Sequence, residues 1–187
     1  MKLRSFYILL LAVALFSCSG KEYRILEDGV VVNVLEPVVD GPQKVRLTVM
    51  SDRIIRVTAT PDKSFHDRSS LMVPEDTSAE VSVFAVRNHK DEVELQATGL
   101  SAFVNKKDGS VRFTDAGGNY ITAESMPASF TPITVDGTHG YSTINSFDTQ
   151  DDEGLYGLGQ HQSDQWNYKG HNEELFQYNT KISIPFV

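Results

Sequence analysis

Residues 92–118 read EVELQATGLSAFVNKKDGSVRFTDAGG, and they decide the fold class. Over 92–98, Val93, Leu95 and Ala97 alternate with Glu92, Glu94 and Gln96. That is the period-two pattern of a strand with an inward apolar face and an outward polar one. Residues 102–105 and 111–114 are two further β-type runs on either side of Lys106-Lys107-Asp108-Gly109, where Asp-Gly supplies the backbone freedom of a hairpin turn. A second turn at 115–118 leads into a strand at 120–123.

The same grammar extends toward the N-terminus. Residues 30–35 are a β-branched run closed by Pro37 and Gly41-Pro42; Val45, Leu47 and Val49 then alternate with Arg46 and Thr48. RIIRVTAT at 53–60 places Ile55, Val57 and Ala59 on one face and stops at Pro61. Residues 62–79 have no sustained period, which predicts a long loop with at most one helical turn near 65–69 and a solvated His66. Alternation resumes over 80–87.

Toward the C-terminus, residues 125–140 are rich in Pro, Thr and Gly without a clear period, and only 133–135 reads as a brief strand. YSTINSFD at 141–148 reads as a strand, Asp151-Asp152-Glu153 as a solvated acidic turn, and 174–179 and 181–185 as the last strands. No segment after the first residues carries helical periodicity, and no repeat recurs. Roughly ten short strands separated by turns predict an all-β protein, an antiparallel β-sandwich.

The first residues stand outside that fold. Lys2 and Arg4 precede an apolar run at 6–16, too short to span a bilayer as a permanent helix, so residues 1–17 read as an export signal. Leu15-Phe16-Ser17-Cys18 fits a bacterial lipobox, with Cys18 becoming the lipid-modified N-terminus. The expectation is a membrane-anchored lipoprotein, periplasmic or on the outer-membrane surface, with a tether at 18–24 and the sandwich over 25–187. Cys18 is the sole cysteine, which excludes an intrachain disulfide, a thiolate metal cluster and a cysteine nucleophile. Formal charge is −8 for the whole chain and about −10 after cleavage, and no basic stripe offsets it, so nucleic acid is not an expected partner.

The stretch richest in functional residue types is 153–186, EGLYGLGQHQSDQWNYKGHNEELFQYNTKISIPF. Gly154, Gly157 and Gly159 permit positive φ and close backbone approach, and the polar and aromatic residues from Gln160 to Tyr168 follow at once. Amides bond sugar hydroxyls and ring faces stack on sugar faces, so a carbohydrate loop is one reading; an ordinary Gly-rich turn with a half-buried Trp is the other. His161 and His171, with Asp164 and Glu173, match no metal-ligand spacing. No nucleophile elbow, phosphate loop, dinucleotide fingerprint or zinc-protease helix is present, and no cofactor is implied. The carboxylates Asp151, Asp152, Glu153, Asp164, Glu173 and Glu174 leave a glycosidase pair open, since their separation in space is not written in the sequence, but adjacent acids are usually solvated surface.

Residues 94–118, IIRVTATP at 54–61 and the loop GLYGLGQHQ together resemble the N-terminal module of glycoside hydrolase family 31, which is galactose-mutarotase-like in fold. GLGQHQ, the following QWNYKG and the lipobox are most similar to the lipoprotein α-xylosidases of Bacteroidetes that act on xyloglucan. Many family members carry Glu after YGLG where this chain has Gln160, which leaves α-xylosidase and α-glucosidase both open. The resemblance implies a retaining glycosidase whose two catalytic aspartates lie in a β/α barrel of about 250 residues that follows the sandwich. None of those catalytic residues maps onto this sequence, and the ending IPFV points to a truncated frame or a fragment.

Three expectations follow. The first is a non-catalytic module, inactive alone, that supports the barrel and lends the loop 157–168 to the rim of its site for a neutral oligosaccharide, xyloglucan-derived or α-glucan. Gln160, His161 and Trp166 are its substrate-side candidates. The second is a stand-alone carbohydrate-binding lipoprotein with Trp166, Tyr168 and Tyr178 as a stacking platform, and the third a structural lipoprotein without ligand. Without the barrel, Leu175, Phe176, Ile182, Ile184 and Phe186 are expected at an exposed apolar surface.

Overall fold

The computed structural model describes residues 21–66, 83–162 and 165–187. They fall into two compact units that divide between Asp148 and Thr149. In the first, β1 (Tyr23–Ile25), β2 (Gly29–Asn33), β3 (Lys44–Ser51) and β4 (Ile54–Thr60) make a four-stranded antiparallel sheet in chain order. A second sheet is also a meander: β5 (Ala85–Asn88), β6 (Glu92–Gln96), β7 (Leu100–Asn105), β8 (Val111–Asp115), β9 (Tyr120–Val135) and β10 (Thr138–Phe147). Its hairpins join neighbours directly, as antiparallel pairing permits.

Alternation sets the core. Val30, Val32, Val45, Leu47 and Val49 from one sheet meet Val93, Leu95, Ala97, Ala102, Val104 and Val111 from the other, with Ile55, Val57 and Ala59 of β4 packed at the margin. Val45, Leu47, Val49, Ile55, Val57, Ala59, Val93, Leu95 and Ala97 are the positions whose alternation the sequence displays, and the two sheets form the predicted sandwich.

Glu94, on the outer face as its parity requires, is nevertheless buried. Arg87 Nη1 donates to its Oε1 at 3.2 Å and His89 Nε2 lies 2.8 Å from its Oε2. Nearby, Arg112 forks onto both Glu92 oxygens at 2.8 and 2.6 Å while its guanidinium covers the Phe103 ring at 3.7 Å. That bidentate bond holds the Glu92 carboxyl below its ordinary value. The polar face of this sheet is therefore a packed ion-pair layer.

Several boundaries differ from the sequence reading. Tyr23 and Arg24, expected in the tether, pair with Val32 and Val31. Lys106, in the hairpin turn that the sequence predicts, is buried and donates to Glu22 Oε2 at 2.8 Å and to the Lys90 carbonyl at 3.3 Å. Phe65 and His66 are not helical, and His66 is exposed beside Asp62; the remainder of the expected 65–69 turn, and residues 80–82 of the expected 80–87 strand, lie outside the described residues. Residues 174–179 form no strand apart from a single bridge at Tyr178.

The largest difference is at 125–140, which lacks a readable period yet lies in a long hairpin of β9 and β10. Asp136 and Gly137 both take positive φ, 59 being the value at Asp40 elsewhere but 47 and 76 here, the pair that a two-residue hairpin turn needs. The prolines are tolerated because β9 pairs with β8 only as far as Ala123 and with β10 alone thereafter. The Phe130 N–H points away from β10, to the Asp40 carbonyl at 2.7 Å, and Pro132, two residues on, shares that direction. Its missing N–H costs no ladder bond.

Candidate functional site

The unit Thr149–Val187 is organised by the exit of the glycine segment. Gly157, Leu158 and Gly159 take φ values of 126, 64 and 101 degrees. A Cβ on Gly157 would stand 2.4 Å from the Phe186 carbonyl oxygen, and one on Gly159 2.2 Å from that of Ile182. Both glycines are thus required twice, for the left-handed backbone and for close approach. The consequence is a short antiparallel pair, β11 (Gly159–Gln160) on β12 (Ile182–Ser183), continued by Leu158 N–H to Phe186 at 2.7 Å and Ile184 N–H to Leu158 at 3.1 Å.

His161 clamps this exit from beneath. Its ring is only 3% exposed, and Nε2–H donates to the Leu158 carbonyl at 2.7 Å. Nδ1 lies 3.1 Å from Glu173 Oε1 without hydrogen-bond alignment. The same oxygen accepts from Lys181 Nζ at 2.6 Å, and Lys181 also donates to the Glu174 carbonyl at 2.8 Å. The Lys181 ammonium, assisted by His161, holds the Glu173 carboxyl below its ordinary value. Tyr168 is buried edge-on to His161 at a centroid distance of 6.1 Å.

The rest of the loop is folded on Asn167, whose Oδ1 accepts the Leu155 and Lys169 N–H groups, each at 3.0 Å. With its neighbour tied down in this way, Trp166 projects outward and is 82% exposed. Gln160 is exposed on β11. Of the three substrate-side candidates, then, Gln160 and Trp166 face solvent and His161 faces inward as a positioning residue. Tyr168 does not join Trp166 and Tyr178 at the surface; Tyr178 stacks instead on Phe176 at 5.3 Å.

Glu173 and Lys181 are the partners of His161 that the sequence did not connect to it. They lie 12 and 20 residues beyond His161, so no local spacing connects the three. Among the described residues, no group of three or more His, Cys, Asp or Glu is close enough together to hold a metal ion. Asp151, Asp152 and Glu153 form the exposed turn that their adjacency predicts.

The described fold is a two-sheet antiparallel sandwich, with the glycine-gated loop after it in the chain. Residues 44–185 match the glycosyl hydrolase 31 N-terminal galactose mutarotase-like domain, and the chain belongs to that family. It is 27% identical over 162 residues to an uncharacterized family 31 glucosidase of Pseudescherichia vulneris, an alignment of 78% of this chain and 31% of that protein. The crystal structure of the family 31 α-xylosidase from Xanthomonas citri superposes with a TM-score of 0.77 at 38% identity, over 87% of this chain and 17% of that one. A family 31 α-xylosidase from a soil metagenome, solved with xylose, shares the fold with a TM-score of 0.64 at 24% identity, over 89% of this chain and 26% of that one. The chain thus spans under a third of the length of each of these relatives.

Proposed function

We propose that this chain is the non-catalytic N-terminal module of an α-glycosidase, an α-xylosidase acting on xyloglucan oligosaccharides, that supports the catalytic barrel and lends the loop 157–168 to the rim of its active site. The observation that carries the reading is the clamped exit at Leu158 and the fold on Asn167, from which Gln160 and Trp166 project outward, while no catalytic constellation forms among the described residues of the unit. A rigid aromatic beside an amide suits a neutral sugar, whose ring face stacks and whose hydroxyls bond.

The Xanthomonas citri relative is an α-xylosidase, which favours xylosides over glucosides, while the curated relative's description favours glucosides. In this reading catalysis by a carboxylate pair belongs to the barrel, and acyl chains on Cys18 hold the enzyme at a membrane surface. The test is the gene beyond codon 187. A continuation that encodes a β/α barrel and whose full product cleaves aryl α-xyloside supports the proposal; an unrelated, well-separated gene overturns it.

A further inference from the structure

The tip of the β9–β10 hairpin forms one wall of a cleft of about 410 Å³. Thr134 lies opposite His139 and Pro132 opposite Tyr141 in the strand register, so all four side chains rise from one face of the hairpin. Asp62 and His66 line the cleft with them. Two internal bonds set the walls: His66 Nε2 lies 3.2 Å from Asp62 Oδ2, and Thr134 Oγ1 lies 3.0 Å from His139 Nδ1. Phe130 meets the Tyr141 ring edge-on at 6.1 Å and fixes its plane.

The polar atoms that remain are varied. Among the described residues, Asp62 Oδ1, His66 Nδ1, His139 Nε2 and the Tyr141 hydroxyl make no hydrogen bond. They offer acceptors and donors beside one aromatic face and one proline ring, and no Lys or Arg among the described residues lines the cleft. A phosphate or carboxylate ligand would meet the Asp62 carboxylate with no countercharge. A neutral polyhydroxylated ring instead stacks its C–H face on Tyr141 and shares its hydroxyls with Asp62, His66 and His139. The volume suits one or two pyranose units.

We infer that this cleft is a second saccharide-binding site, formed by Asp62, His66, His139 and Tyr141 and separate in sequence from the loop at 157–168. It rests on the reading of the chain as part of a carbohydrate-active enzyme, but it requires neither the barrel nor turnover.

Saturation-transfer difference NMR tests it, observing xyloglucan heptasaccharide with the full chain and with the Tyr141→Ala, Asp62→Asn and Tyr120→Ala variants. Circular dichroism accompanies each variant, and the near-isosteric Asp62→Asn leaves the hairpin untouched should Tyr141→Ala perturb it. The expected result is transfer to the sugar, with affinity weakened at least about fivefold by Tyr141→Ala and by Asp62→Asn and unchanged by Tyr120→Ala, an exposed aromatic outside the cleft. Absence of transfer, or transfer that survives both cleft substitutions, overturns the inference. Neither outcome bears on whether a barrel is encoded downstream, so the two readings fail separately.

Discussion

The Nε2–H of His161 donates to the carbonyl oxygen of Leu158 across 2.7 Å, and Leu158 is the non-glycine residue held at a φ of 64 degrees between two glycines. A leucine in the left-handed region costs roughly 1–2 kcal/mol, so the conformation persists only where its surroundings fix it. His161→Ala removes that bond from a buried site. The expected outcome is local: amide protection at Leu158 and Ile184 falls by at least about tenfold, while the melting of the sandwich is unchanged. Hydrogen exchange resolved by residue measures both.

Gly159→Ala tests the close approach. The new methyl carbon would meet the Ile182 carbonyl oxygen at 2.2 Å in a backbone conformation that alanine avoids. Pairing of Gly159–Gln160 with Ile182–Ser183 is expected to be lost, at a cost above about 1 kcal/mol. Loss of protection at the Ile184 amide, with Gly118→Ala as a control where the added carbon meets nothing within 4 Å, checks it.

The acid limit of the loop follows from Glu173. Its folded carboxyl is depressed below the ordinary 4.5 by Lys181 and His161, so the stabilisation is present above that value and disappears as pH falls through the depressed one. Loop protection is expected to hold steady from neutrality to about pH 4.5 and to fall below it, and Glu173→Gln is expected to abolish that dependence. Exchange measured across pH 3 to 7 on the two proteins tests the sign.

Lys106 is a different sort of prediction, because it is a buried cation tied to a half-exposed partner. Removal of Glu22 leaves the Lys106 ammonium with the Lys90 carbonyl alone. Glu22→Ala is expected to destabilise the sandwich by about 1–3 kcal/mol, with Glu22→Asp intermediate, read from urea denaturation midpoints.

Much of this molecule was legible because a half-buried antiparallel strand writes its faces into alternate positions. Val93, Leu95 and Ala97 were assigned inward from their parity alone, and they are core residues. Where the physics left the strand, legibility fell. Residues 125–135 pair on one edge and have both faces largely exposed, so no apolar alternation marks them; Asp136-Gly137 was the remaining signal. Glu94 kept its predicted face but not its exposure, because Arg87 and His89 close over it. At the loop, the glycines revealed the backbone and the composition suggested a sugar site, but whether a histidine faces out or in depends on Glu173 and Lys181, which approach from the irregular segment that follows the loop.

Leu175, Phe176, Ile182, Ile184 and Phe186 are each at least 38% exposed, forming the exposed apolar set that the sequence reading expected. The full chain alone is therefore expected to bind a hydrophobic dye, and Ile184→Ser with Phe186→Ser to reduce that signal by half or more, on the order of the apolar area removed. Unchanged fluorescence in the double variant would place the dye elsewhere.

The most direct test of the central claim is hydrolysis of aryl α-xyloside and aryl α-glucoside by the purified chain of 187 residues. A non-catalytic module predicts no release of the aryl group above the protein-free rate on either substrate. Turnover that scales with the concentration of this chain and persists through repurification would contradict it.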